Sequence, residues 1–132
     1  MIELGKIRLQ HRRSVYHARG KIRDLASALG YDPIETTRLA TAVSEVSREL
    51  QSTDVDASIT LFLAMDLSPP QLVLEFRRHG DSPLSSALDA FFDGLVNSHD
   101  GEQRQLTRAA RYLPDPAFEA TTAFIAEQRE LI

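Results

Sequence analysis

The chain reads as a single α+β domain, a two-layer sandwich in which a mixed, mostly antiparallel sheet is covered on one face by helices. Three observations predict this. Two amphipathic helix patterns follow one another between residues 14 and 50. Two apolar runs, 57–65 and 71–77, flank a Ser68-Pro69-Pro70 turn and read as an antiparallel hairpin. The order β-α-α-β-β-α-α-β groups like elements together, unlike the strict alternation of a parallel α/β sheet.

Each element has a local reason. Residues 2–10 (IELGKIRLQ) form an N-terminal strand whose alternation changes phase near Gly5, the mark of a β-bulge. Ser14 is the expected cap of a helix running to about Leu29. Its apolar positions Val15, Ala18, Ile22, Leu25, Ala26 and Leu29 keep helical spacing, and Gly30 suits the stop. Asp32 then caps a second helix, with Pro33 at its first position and Glu35 completing a capping-box pattern. Leu39, Val43, Val46 and Leu50 make its apolar stripe, and residues 51–54 read as a loop. The strands ASITLFLAM (57–65) and QLVLEFR (71–77) follow, then a loop from His79 to Pro83. Residues 84–96 read as a helix with Leu84, Leu88, Phe91, Phe92 and Leu95 on one side. Residues 97–102 are a polar connection. Gln105 to Leu113 reads as a further helix, stopped by Pro114-Asp115-Pro116, and FEATTAFIA (118–126) as a final strand. The polar tail 127–132 can turn helical.

Composition narrows the function. The 132 residues fit one domain, 1–132, with no internal repeat or linker. The absence of cysteine excludes a disulfide scaffold, a zinc–thiolate site and a cysteine nucleophile. No apolar run approaches the roughly 20 residues of a membrane span. The first six residues carry no signal-peptide apolar region, and a cytoplasmic protein is the simplest fit. A net charge of −4 argues against a duplex-DNA-binding domain. Against that acidic balance, residues 6–23 hold Lys6, Arg8, Arg12, Arg13, Arg19, Lys21 and Arg23 with no acid before Asp24. This run is either a solvated face or a surface for an acidic partner. Histidines 11, 17, 79 and 99 lack metal-ligand spacing, and neither a phosphate-binding glycine loop nor a nucleophile elbow occurs.

The most informative stretch is the second helix. Glu45 and Glu49 are i, i+4 neighbours on one side of it. Such a pair suits acid–base or metal chemistry. It equally suits a solvated edge paired with Arg38, Arg48 or a base on the first helix. The run TRLATAVSEVSREL (37–50) resembles the motif helix of the histidine-kinase-like ATPases, in the branch of anti-sigma-factor and stress-switch serine kinases. ASALGYD (26–32) resembles the approach to that helix, and Glu119-Ala120-Thr121-Thr122-Ala123 resembles the G-T-T-V that opens the family's last strand.

The resemblance implies the histidine-kinase-like ATPase fold and particular roles. Glu45 takes the place of the glutamate that polarises the attacking hydroxyl or water. Glu49 stands where the family has a Mg²⁺-ligating asparagine, and a carboxylate there adds negative charge beside a triphosphate. Arg78-His79-Gly80-Asp81-Ser82 aligns with the family's D-x-G-x-G. Arg78 replaces the adenine-reading aspartate and offers no acceptor, Gly80 is kept, and Asp81 is out of register. The glycine-rich lid is reduced to Gly101. Thr121 and Thr122 complete the cofactor-binding set. The resemblance therefore implies a regulatory, protein-binding domain of a bacterial signalling pathway that has lost ATP binding, with no cofactor. The alternative is an active serine/threonine kinase using Mg-ATP, with Glu45 as catalytic base and Glu49 as the metal ligand. The implied partner is a protein of the switch (an antagonist, a sigma factor or a fused output domain), with a homodimer as a further option and neither nucleic acid nor membrane expected. An unrelated α+β adaptor sharing only the helix pattern is the third reading.

Overall fold

The structure is a computed structural model that describes residues 2–53, 57–64, 71–79, 98–99, 105–112 and 122–131. Its elements are β1 (Ile2–Arg8), α1 (Arg12–Ala28), α2 (Pro33–Thr53), β2 (Ser58–Ala64), β3 (Gln71–His79), β4 (Ser98–His99), β5 (Gln105–Tyr112) and α3 (Thr122–Leu131). The strands form one sheet in the order β1-β2-β3-β5-β4. Every described pairing is antiparallel, so the mixed component expected of the sheet is not among them.

The phase change in the first strand is a bulge, as its sequence predicts. Pairing with β2 shifts between Glu3 and Gly5. Leu4 within the shift and Ile7 and Leu9 after it are therefore all buried, although a regular strand would divide them between faces. Ile59, Leu61 and Leu63 of β2 and Leu72, Leu74 and Phe76 of β3 join them in one apolar cluster. The same cluster contains Ala18, Ile22, Leu25, Ala26 and Leu29 from α1 and its flank, and Leu39, Val43, Val46 and Leu50 from α2. Phe124 and Ile125 of α3 pack against it, half-buried. The helices thus cover one sheet face, as a two-layer sandwich requires. The other face is more polar. It carries an ion pair of 2.6 Å between Glu75 and Arg77, two residues apart on one strand.

The helix ends follow local chemistry. α1 begins earlier than the Ser14 cap predicts. Its cap residue is His11, and the Ser14 hydroxyl accepts from the His11 N–H at 3.3 Å. At the other end Gly30 takes φ 90°. The Gly30 N–H donates to Ser27 O at 3.1 Å and the Tyr31 N–H to Ala26 O at 3.0 Å, which is a Schellman stop. Asp32 caps α2 as expected, its Oδ1 accepting from the Glu35 N–H at 2.8 Å. The helix continues past Leu50 to Thr53, so residues 51–53 are not the expected loop.

Two elements exchange type. Gln105–Tyr112 is a strand, not a helix, and pairs along β3 from Leu72↔Tyr112 to His79↔Gln105. β3 correspondingly extends through Arg78 and His79, beyond the expected end at Arg77. Thr122–Leu131 is a helix, where 118–126 was expected to be a strand. The polar connection 97–102 contributes the short strand Ser98–His99. The expected helix 84–96 lies outside the described residues.

Candidate functional site

The α2 acids are placed by that helix's packing. Thr36, Leu39, Ala40, Val43, Ser44, Val46, Ser47 and Leu50 are buried. Glu45 consequently projects to solvent, and Glu49, one turn on and about 40° around the helix, is half-buried at its edge. The Glu49 backbone carbonyl accepts from the Ser52 hydroxyl at 2.7 Å. Among the described residues no group of three or more histidine or acidic side chains is placed to hold a metal ion.

The other expected site residues are scattered. Arg78 lies within β3, opposite Leu106 of β5. Gly80, Asp81 and Thr121 lie outside the described residues. Thr122 opens α3 rather than a strand. α3 docks on the flank of α1 opposite to α2. On one flank of α1, Arg12, Val15 and Tyr16 share a cavity of about 370 Å³ with Arg48 and Gln51 of α2. On the other, the Lys21 ammonium reaches α3 and donates to Gln128 Oε1 at 2.7 Å. The structure therefore keeps Glu45 and Glu49 together and sets α1 between them and the helix that Thr122 opens.

The basic run also divides. Lys6 and Arg8 of β1 and Arg13 and His17 of α1 are exposed along the outer side of β1. Arg12 belongs to the cavity with Arg48. Lys21 is turned inward, with only 5% of its surface exposed, against Gln128 with 4%. Burial holds the Lys21 pKa below its usual value, opposed by the charges of Asp24 and Glu127. By sequence alone Lys21 belongs to a surface run of basic residues. The available signal of its burial was its position between Ala18 and Ile22, on the margin of the buried stripe. Tyr31 was likewise missed. Burial, and secondarily the charge of Glu35, raises its phenol pKa, and its hydroxyl has no hydrogen-bond partner among the described residues.

No family model matches the chain, and no curated protein or solved structure matches it. No helix among the described residues is long and apolar enough to cross a membrane.

Proposed function

We propose that this chain is a partner-binding regulatory domain of a cytoplasmic bacterial signalling switch, a degenerate relative of the histidine-kinase-like ATPases that does not use Mg-ATP. The observation that carries the reading is the state of α2. Its cap, its stripe and the outward position of Glu45 fit the motif helix of that family. The ligand position one turn on is filled by Glu49, whose charge opposes a triphosphate. Two further features agree. Arg78, which the resemblance aligns with an adenine-reading aspartate, lies within β3. Thr122 begins a helix on the far flank of α1. The antiparallel sheet under helices is compatible with the family's sandwich, and the helical C-terminal segment departs from its last strand.

The second reading is an active serine kinase, and one observation favours it. Glu45 is exposed on α2 and accessible to an incoming hydroxyl. Calorimetric titration of the whole chain with Mg-ATP separates the two. The proposal expects no binding heat, and tight binding overturns it. If binding is found, loss of phosphate transfer in Glu45→Ala then tests the kinase reading.

A further inference from the structure

Among the described residues β1 is the last strand of the sheet on its side, and its outer edge combines backbone groups with positive charge. The Leu9 N–H donates to Ala57 O at 2.8 Å. The pairs Ile7↔Ile59 and Gly5↔Leu61 fall in step with it, two residues at a time. Antiparallel ladders alternate, so Ile7 and Leu9 direct their N–H and C=O groups at β2. Lys6 and Arg8 direct theirs away from it. Those groups line an edge, and α1 runs beside it. Lys6, Ile7 and Arg8 share a cleft of about 320 Å³ with Arg13, Ser14 and His17. A second cleft, lined by Glu3, Leu4, Gly5, Lys6 and Arg129, continues toward the start of the strand. There Arg129 Nε donates to the Glu3 carbonyl at 3.1 Å, which occupies the edge at that end.

We infer that the edge of β1 at Lys6–Arg8 receives an acidic, extended segment of a partner protein as an added strand. The inference rests on the partner-binding reading and gives it a surface and a chemistry. Main-chain hydrogen bonds to an open edge supply affinity, and the flanking side chains supply selection. Here the flanking side chains are Lys6, Arg8 and Arg13 on a protein whose net charge is −4. A second copy of the chain is the wrong occupant, because edge-to-edge pairing sets Lys6 and Arg8 against their own copies. Lysine at an edge is a usual guard against such self-pairing. A guard alone requires only repulsion between copies. The cleft between β1 and Arg13, Ser14 and His17 adds a place for a strand of opposite sign.

The test uses the whole chain and a labelled, end-blocked heptapeptide of alternating valine and glutamate. Fluorescence anisotropy measures binding, and amide exchange reads protection at Lys6 and Arg8. The expected result is binding of the acidic peptide with slowed exchange at those two amides, and none by its lysine counterpart. N-methylation of the peptide backbone on the side facing β1 removes its donors but keeps its charges, and is expected to weaken binding at least about tenfold. Lys6→Glu with Arg8→Glu is expected to do the same while the fold is retained by circular dichroism. Equal binding of the N-methylated peptide, protection elsewhere on the chain, or a wild-type dimer joined through β1 overturns the inference. Failure here leaves the partner-binding reading intact when Mg-ATP gives no heat, whereas tight Mg-ATP binding removes that reading whatever the peptide does.

Discussion

Replacing Gln128 with leucine tests a buried polar contact between α1 and α3. The Lys21 ammonium is buried and donates to Gln128 Oε1 at 2.7 Å and, more weakly, to the Gln128 backbone O at 3.4 Å. Gln128→Leu keeps the volume but removes the nearer acceptor, so a charged donor loses its best partner. A hydrogen bond to a charged group contributes about 1.5–3 kcal/mol, against about 1 kcal/mol between neutral groups. The expected loss near neutral pH is about 2 kcal/mol, or roughly 8 °C of melting temperature for a chain of this size. The loss also has a defined pH dependence. Burial holds the folded-state pKa of Lys21 below 10.5. Between that lowered value and 10.5 the unfolded chain binds more protons than the folded one, so stability rises with pH across the window. Losing the acceptor lowers the folded value further and deepens the penalty below the window. Well above pH 10.5 the lysine is neutral in both states, and the cost of Gln128→Leu shrinks to about 1 kcal/mol. Denaturant unfolding at several pH values measures this. It is best done in a Tyr31→Phe background. The raised pKa of Tyr31 makes stability fall as pH rises above about 10, where the unfolded phenol ionises first. A loss under about 0.5 kcal/mol near neutral pH, or one that stays constant into the alkaline range, refutes the account of this contact.

Two further substitutions test the helix chemistry. Asp32→Ala removes the acceptor of the Glu35 N–H and is expected to cost about 1 kcal/mol in urea unfolding, with the fold unchanged. Gly20→Ala is expected to stabilise by about 0.5–1 kcal/mol in the same assay, because Gly20 lies inside α1 and an added Cβ meets nothing within 4 Å.

The elements legible in the chain were those whose local signals and packing agree. The Gly5 bulge, the Gly30 stop, the Asp32 cap and the β2–β3 hairpin rest on chemistry within a few residues of each position. The two exchanged elements show where that fails. Leu106, Ala109, Ala110 and Leu113 have helical spacing. Yet β3, already paired on one side with β2, has a second hydrogen-bonding edge, and residues 105–112 fill it. FEATTAFIA shows strand-like alternation of Phe118, Ala120, Thr122, Phe124 and Ala126. The helix that forms instead starts at Thr122 and includes Ala126, Glu127, Gln128 and Arg129, all but the first of them in the polar tail. It brings Phe124 and Gln128, one turn apart, toward the core and Lys21.

For the candidate site, the division is similar. The side of α2 that carries Glu45 and Glu49 follows from the apolar positions around them, because the helix must turn Leu39, Val43, Val46 and Leu50 inward. No such local rule tells that Lys21 leaves the basic run to meet a glutamine 107 positions away, or that Lys6 and Arg8 stand on the strand that ends the sheet among the described residues. Those outcomes depend on which strand ends the sheet and on which flank of α1 the C-terminal helix docks. Both are set by contacts between residues distant in the chain, and only the folded packing brings those residues together.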